Sequence, residues 1–137
     1  MQYWILKSEP DEFSFHQLVT KSCGIWDGVR NYQARNFLKQ MKVGDVGLFY
    51  HTASERSVVG LMKIVREYFP DPTSKEGDWV AVEVEPIKSL RTIVHLNHFK
   101  KDPVLSQSLL VKQSRLSVIP LSDLQFKRVL ELADTSL

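Results

Sequence analysis

The sequence predicts an α+β fold in which a curled, antiparallel or mixed sheet carries a few short helices. β-Branched and aromatic residues recur in segments of strand length, whereas amphipathic helical segments are few and short. The composition, with 43% hydrophobic and 25% charged residues, is that of an ordinary globular domain. No repeat and no Gly/Ser-rich linker divides the chain, so we expect residues 1–137 to form one domain.

The first part of the chain is predicted to contain two strands and two helices. Residues 2–7 are rich in β-favouring side chains and predict a strand. Ser14 and Gln17 form a capping-box pattern that predicts the start of a short helix. Asn31 can cap a second helix, because apolar residues then recur at helical spacing, namely Ala34, Phe37, Leu38 and Met41. A turn then leads into an apolar strand over residues 46–51.

The middle of the chain is predicted to supply the longest strands. Residues 58–69 are largely apolar and β-branched and predict a central strand. Residues 70–78 are rich in turn-forming residues and predict a long surface loop. Residues 79–85 alternate buried valines with glutamates, which is typical of a strand with one solvated face. Residues 90–96 predict a further strand, followed by a helical segment around residues 98–101.

The last predicted elements are a short strand and a helix. Residues 116–119 form the strand, which Pro120 ends because it lacks an amide hydrogen. Ser122 caps the final helix, whose predicted buried stripe consists of Phe126, Val129, Leu130 and Ala133. Long strands joined by few, short helices favour a sheet that curls, as in a small barrel.

Charge and composition leave the class of ligand open. The formal net charge is only +2, whereas sequence-independent binding of phosphates needs a dense basic surface. A protein that holds one nucleotide in a pocket needs only a few local cations. No apolar run is long enough to cross a bilayer, and the acidic residues after the first strand do not fit a secretory signal. Since no coiled-coil pattern occurs either, we expect a cytoplasmic monomer.

Residues that could catalyse a reaction or hold a metal are sparse. His95 and His98 lie three positions apart, but no third ligand follows at a suitable spacing, so we expect no metal. Lys7 and Ser8 could form a nucleophile pair only where a strand ends, because neighbours on a strand point to opposite faces. The single cysteine, Cys23, has no activating neighbour. Common nucleotide-binding and hydrolase motifs are missing, so we expect neither an enzyme nor a cofactor.

The segment WDGVRNYQARN, residues 26–36, combines residue types that suit a planar, polar ligand. An indole face can stack on a base, Asp and Asn can pair with base edges, and Arg can hold a phosphate. The segment precedes a predicted helix start, whose free amide groups favour a polar ligand edge. The alternative is that Trp26 and Tyr32 are core aromatics and Asn31 only a cap. On composition alone this alternative is the commoner arrangement.

Several segments, in this order along the chain, resemble the signature blocks of the EVE domain family. They are WILKSEP at residues 4–10, WDGVRNYQARN at 26–36, MKVGD and LFYH within 41–51, and VKQSRLSV at 111–118. The resemblance covers nearly the whole chain, including PDPT at residues 70–73 and the final helix. It implies a PUA-like fold, a curled sheet flanked by short helices that is related to PUA, ASCH and YTH domains.

The resemblance also implies a function and a set of site residues. YTH domains hold a methylated adenine in an aromatic cage, and EVE domains are proposed to recognise modified bases in DNA or RNA in a similar way. Trp26 would then stack on the extruded base, with Tyr32 or Tyr50 completing the cage, and Asp27 and Ser8 would read the polar edge. The cations expected on flanking phosphates are Lys7, Arg30 and Arg115. The remaining residues implied for the pocket are Val29, Asn31, His51, Gln113 and Ser114.

Other functions remain open at the level of the sequence. The pocket could hold a free modified nucleoside or another small metabolite. The protein could be a nucleotide-processing enzyme that uses Asp27 or the Lys7–Ser8 pair, or a protein-interaction domain. A steep loss of affinity with rising salt would favour nucleic acid, because each phosphate contact releases counterions. Turnover that is lost in Asp27→Asn would favour an enzyme.

Overall fold

A computed structural model describes residues 1–137 and contains one six-stranded sheet with helices packed around it. The strands are β1 (Tyr3–Ser8), β2 (Gly24–Trp26), β3 (Val46–His51), β4 (Ser57–Pro70), β5 (Val80–His95) and β6 (Val118–Leu121). The helices are α1 (Phe15–Lys21), α2 (Tyr32–Gln40), α3 (Leu96–Lys101), α4 (Leu109–Lys112) and α5 (Asp123–Leu132), and a 3-10 turn spans Leu105–Gln107. No helix combines the length and the hydropathy needed to cross a membrane.

The sheet is mixed and open, with the strand order β2-β5-β4-β3-β1-β6. β1 and β3 run parallel, and every other neighbouring pair is antiparallel. The predicted α+β class and mixed sheet are therefore confirmed. No backbone pairing joins β2 to β6, so the molecule has a curled open sheet instead of a closed barrel.

Irregular strand pairing accounts for the curl. The register shifts between Phe49 and Tyr50 and at several points where β4 pairs with β5. Such bulges bend a strand and increase its local twist. In a flat sheet, β2 and β3 would lie three strand spacings apart, roughly 14 Å. The ring centroids of Trp26 on β2 and Phe49 on β3 are only 5.1 Å apart. The sheet therefore wraps until its β2 edge approaches the face of β3.

The core fills the inside of this curl. β3 is buried along its whole length. On one of its faces, the Phe49 ring contacts both Phe15 of α1 and Trp26 of β2. Trp4 of β1 is also buried, and its indole Nε1 donates to Asp45 Oδ2 at 3.1 Å. The same carboxylate accepts hydrogen bonds from the backbone amides of Gln2 and Lys42. Both oxygens of this buried carboxylate accept hydrogen bonds, and these bonds hold the start of β1 beside the turn that precedes β3.

The helix starts agree with the sequence pattern. Ser14 with Gln17 and Ser122 with Gln125 form complete capping boxes. The Asn31 side chain accepts from the amide of Ala34 at 2.9 Å and caps α2. These predictions are confirmed, since local side-chain to backbone bonding is sufficient to define a helix start.

Three strands differ from the prediction. Pro120 does not end the last strand but lies within β6, opposite Trp4, where the edge position tolerates a proline. The segments 79–85 and 90–96 belong to one strand, β5, which continues through Pro86. Pro86 lies opposite Met62, beside a register shift, and such bulges tolerate a residue without an amide hydrogen. β2 was not predicted, because three residues are too few to display an alternating pattern.

Candidate functional site

A cavity of about 790 Å³ opens where β1 ends, beside β2 and the turn that follows it. Pockets for small molecules have volumes of about 300–1,000 Å³, so the cavity can hold a ligand of nucleoside size. Residues expected at the site that do line it are Lys7, Ser8, Trp26, Asp27, Val29, Arg30 and Asn31. The two sequence blocks that supply them, residues 4–10 and 26–36, therefore meet in space.

Trp26 forms part of the back wall of the cavity. The residue is only 5% exposed, and its ring lies edge-to-face with Phe13 and Phe49 at centroid distances of 6.0 and 5.1 Å. The two interpretations of Trp26 are both realised, because it packs in the core and also contributes to the cavity surface. Phe13 is partly exposed and lines the cavity beside it. Phe13 was missed from the sequence, since nothing distinguishes it from an ordinary apolar residue before a helix.

The turn after β2 is held in place by Asp71 from the loop between β4 and β5. The Asp71 side chain is fully buried and accepts from the Gly28 amide at 2.8 Å and from Arg30 Nη1 at 2.9 Å. It also accepts from the amide and the hydroxyl of Thr73. Burial would raise the pKa of Asp71, but hydrogen bonds from Thr73, Arg30 and Gly28 outweigh it and lower the pKa to about 2. A permanent carboxylate therefore fixes the cavity wall.

Asp27 lies on the cavity wall and has an unusual carboxyl group. Burial raises the pKa of Asp27, and the neighbouring charge of Asp71 raises it further, whereas Arg30 acts in the opposite direction. A hydrogen bond from its own backbone amide also lowers the pKa, but no other side chain donates a hydrogen bond to it, so acceptor positions remain available to a ligand. A carboxyl group with a raised pKa can accept a hydrogen bond when ionised and donate one when protonated.

Lys7 and Ser8 reach the cavity because β1 ends there, yet they do not form a nucleophile pair. Lys7 Nζ donates to the Ser114 carbonyl oxygen at 2.9 Å, and burial lowers the pKa of Lys7. Ser8 Oγ donates to the Phe13 carbonyl oxygen at 2.6 Å. The serine hydrogen is thus directed to a backbone acceptor and not to the lysine amine. This geometry does not activate the hydroxyl.

Tyr50 and His51 lie on β3, away from the cavity wall. Tyr50 is buried with its ring 5.6 Å from Lys7 Nζ, and burial raises the pKa of Tyr50. His51 Nε2 accepts from the Phe15 amide at 3.0 Å, so Nδ1 carries the hydrogen that faces Glu55 at 3.0 Å. Both residues therefore support the site from behind, and His51 helps to begin α1.

The remaining expected residues also lie outside the wall. The side chains of Gln113, Ser114 and Arg115 are exposed, and the late block reaches the cavity through Ser117 instead. Only the backbone carbonyl of Ser114 supports the site, through Lys7. Tyr32 is 67% exposed and stacks on Trp79 outside the cavity, so neither Tyr32 nor Tyr50 completes an aromatic cage with Trp26.

Charges of both signs surround the cavity. The basic side chains on its wall are Lys7, Lys21 and Arg30, and the acidic ones are Glu9, Glu12, Asp27 and Glu83. This balance suits a ligand with hydrogen-bonding edges better than a bare phosphate. No group of three His, Cys, Asp or Glu side chains is arranged to hold a metal ion.

Comparison with known proteins identifies the family. The sequence model of the EVE domain matches residues 2–132. The chain belongs to the EVE domain family. Mouse thymocyte nuclear protein 1 is 38% identical to this EVE domain over an alignment 168 residues long, gaps included. The alignment covers 97% of this chain and 74% of the mouse protein.

Solved structures agree with this assignment. The crystal structure of human THYN1 protein in complex with DNA containing 5-methylcytosine matches this EVE domain with a TM-score of 0.90, 34% identity and full coverage of both chains. The YTH domain of Zygosaccharomyces rouxii MRB1, in complex with N6-methyladenosine RNA, matches with a TM-score of 0.56 and 16% identity, covering 99% of this chain and 88% of that one. At that identity the YTH match shows the fold alone. The predicted family and PUA-like fold are confirmed.

Proposed function

We propose that this protein is a non-catalytic module that binds a modified nucleobase within DNA or RNA. The observation that carries the proposal is the cavity beside Trp26, whose wall combines aromatic rings with a carboxyl, a hydroxyl and an amine. The human relative captured with DNA containing 5-methylcytosine supports the same class of ligand. The unactivated Ser8 hydroxyl gives no support to the enzyme alternative.

In this proposal the target base leaves its stack and enters the cavity. Trp26 and Phe13 provide the apolar wall against the base and its added group, although Trp26 offers only a narrow strip because most of its ring is covered. Asp27 reads the polar edge, since a carboxyl oxygen can accept from an exocyclic amino group. Extruding a base costs a few kcal/mol, so single-stranded or distorted sites are preferred.

The flanking phosphates are proposed to meet cations at the cavity rim. Lys7 and Arg30 both line the cavity, and Arg115 is exposed next to the Ser114 carbonyl that holds Lys7. Each phosphate contact lowers the observed affinity further as salt rises. We therefore expect a shallow slope that corresponds to a few contacts, in keeping with the modest net charge of +2.

The test is a binding screen with short single-stranded oligonucleotides that carry 5-methylcytosine, 5-hydroxymethylcytosine or N6-methyladenine, together with their unmodified counterparts. At least one modified base should bind more tightly than its counterpart. Asp27→Asn should lower that affinity by about tenfold, the effect of losing one good contact to a base edge.

Asp134→Asn is the matched control for this screen. Asp134 is exposed beyond α5 and adopts a positive φ of 50°, a conformation that Asn tolerates. Its affinity should equal that of the wild type. Equal binding of every modified and unmodified partner by the wild-type protein would refute the proposed function.

A second candidate is a pocket for a free modified nucleoside. The observation that favours it is the excess of carboxylates over basic groups around the cavity, which does not attract phosphates. Calorimetry with free nucleosides over a range of salt concentrations separates the two. Tight binding of the nucleoside, with no gain from flanking nucleotides and no salt dependence, would assign the cavity to the free metabolite.

A further inference from the structure

An aromatic pair lies on the surface next to the cavity and takes no part in its wall. Tyr32, the first residue of α2, stacks on Trp79 with ring centroids 5.1 Å apart and planes inclined by 26°. Tyr32 is 67% exposed, whereas tyrosine side chains are usually at least partly buried. We call this pair the Tyr32–Trp79 platform.

The outer face of the Tyr32 ring is open. Arg35 is the nearest cation, with its Cζ atom 5.1 Å from the Tyr32 centroid and 5.8 Å from the Trp79 centroid. If Arg35 covered the face of Tyr32 that points away from Trp79, its Cζ atom would be about twice as far from the Trp79 centroid as the Tyr32 centroid is, and the observed 5.8 Å is much shorter. Arg35 therefore lies beside the stack, where Asn36 and Asp78 hold it. One ring face of Tyr32 is covered by Trp79, and the other faces solvent.

The platform is joined directly to the cavity. Asn31 lines the cavity and Tyr32 is the next residue, so their Cα atoms lie about 3.8 Å apart. Arg30 also lines the cavity, and its guanidinium carbon is 5.6 Å from the Trp79 ring. Asp71 holds Arg30 in this position. The turn after β2 therefore connects the cavity wall to Tyr32, and Arg30 connects the wall to Trp79.

We propose that the outer face of Tyr32 stacks on the nucleobase adjacent to the one in the cavity. The proposal rests on the proposed function and adds a second contact along a single strand. Every base has a π-face, so this contact tolerates any neighbouring base and adds affinity without selecting a sequence. A ring already fixed by Trp79 and by the helix start loses little conformational entropy on binding.

Fluorescence or calorimetric titrations of two ligands test this proposal. One ligand is the nucleoside 5-methyl-2′-deoxycytidine, and the other is a single-stranded DNA pentamer with 5-methylcytosine at its centre. Tyr32→Ala should weaken binding of the pentamer by about 5- to 140-fold, the range of one base–aromatic stack, and leave the nucleoside unchanged. Tyr32→Phe keeps the π-face and should bind both ligands like the wild type.

A third ligand, the same pentamer with abasic sites on both sides of the modified base, tests whether Tyr32 contacts the adjacent base. The wild type should bind it as weakly as Tyr32→Ala binds the intact pentamer, and Tyr32→Ala should cause no further loss. Unchanged pentamer binding in Tyr32→Ala would overturn the proposal and leave the platform to a protein partner. Equal losses for nucleoside and pentamer would also overturn it, because Tyr32 would then act through the cavity.

Failure of the proposed function looks different in these titrations. Asp27→Asn should weaken the nucleoside and the pentamer together, since it changes the cavity and not the platform. A wild-type protein that binds methylated and unmethylated pentamers equally would refute recognition of 5-methylcytosine, whatever Tyr32→Ala does. Selective methyl binding that is insensitive to Tyr32→Ala would refute the platform alone.

Discussion

Replacement of Asp71 by Asn removes the charge that holds the turn after β2 while keeping the shape of the side chain. The wild-type carboxylate accepts from Gly28, Arg30 and Thr73, all at 2.9 Å or less. An amide group has only one acceptor oxygen, so its NH₂ group would face at least one donor. We expect the variant to be less stable and its cavity wall to be less well fixed.

The size of the effect follows from the shift in the pKa. The pKa of Asp71 falls from 3.8 to about 2 on folding. Each pKa unit corresponds to 1.36 kcal/mol, so ionised Asp71 contributes roughly 2 kcal/mol to the free energy of unfolding. Because the pKa is lowered in the folded state, this contribution is complete above about pH 4–5 and disappears as the pH falls towards 2. For a domain of this size, the loss lowers the Tm at neutral pH by about 5–10 °C.

Urea denaturation of the wild type, Asp71→Asn and Asp134→Asn at pH 7 and at pH 2.5 measures this contribution. Asp71→Asn should be destabilised at pH 7, and most of the difference from the wild type should vanish at pH 2.5. Asp134→Asn changes an exposed ion pair and should match the wild type at neutral pH. A difference that is absent at pH 7, or that persists undiminished in acid, would show that ionised Asp71 does not anchor this turn.

Three further predictions concern the fold. Trp4→Phe removes the indole donor to Asp45 and should cost about 1–3 kcal/mol of unfolding free energy in urea titrations. Gly60→Ala would force a methyl group into the Phe15 ring and should cost about 1–3 kcal/mol by the same assay. Ser122→Ala should cost about 0.5–2 kcal/mol through loss of the α5 cap, and Ser122→Asp should restore most of it. If Trp4→Phe, Gly60→Ala or Ser122→Ala unfolded at the same urea concentration as the wild type, the contribution of the corresponding contact to stability would be refuted.

Local features of the fold were predictable because the residues that specify them are close in sequence. Asn31 and Ser122 cap helices through bonds to amides three residues away. The strand order was not predictable, because it depends on long-range pairing. The segments 79–85 and 90–96 were predicted as two strands, and only the register shift beside Pro86 explains why β5 continues through it.

In the candidate site, too, features set by residues close in sequence were predicted, and features set by long-range contacts were not. The blocks around Lys7 and Trp26 were both identified, and the structure brings them to one cavity. The anchoring role of Asp71 joins residues more than forty positions apart, and no local pattern reveals it. Tyr32 was expected inside the pocket from the family resemblance, but the first turn of α2 directs it towards Trp79 instead. Side-chain direction at a helix start depends on the fold and not on the composition of the segment.

The open sheet also has a consequence for behaviour at high protein concentration. A free sheet rim can recruit another chain through its unpaired amides. The rim at β2 is only three residues long, and the rim at β6 is interrupted by Pro120, which has no amide hydrogen to offer. Beyond β2, the C-terminal tail shields β5, where the Thr92 amide donates to the Ala133 carbonyl at 3.0 Å. Neither edge of the sheet therefore offers a long, continuous row of unpaired backbone groups on which a fibril could begin to grow.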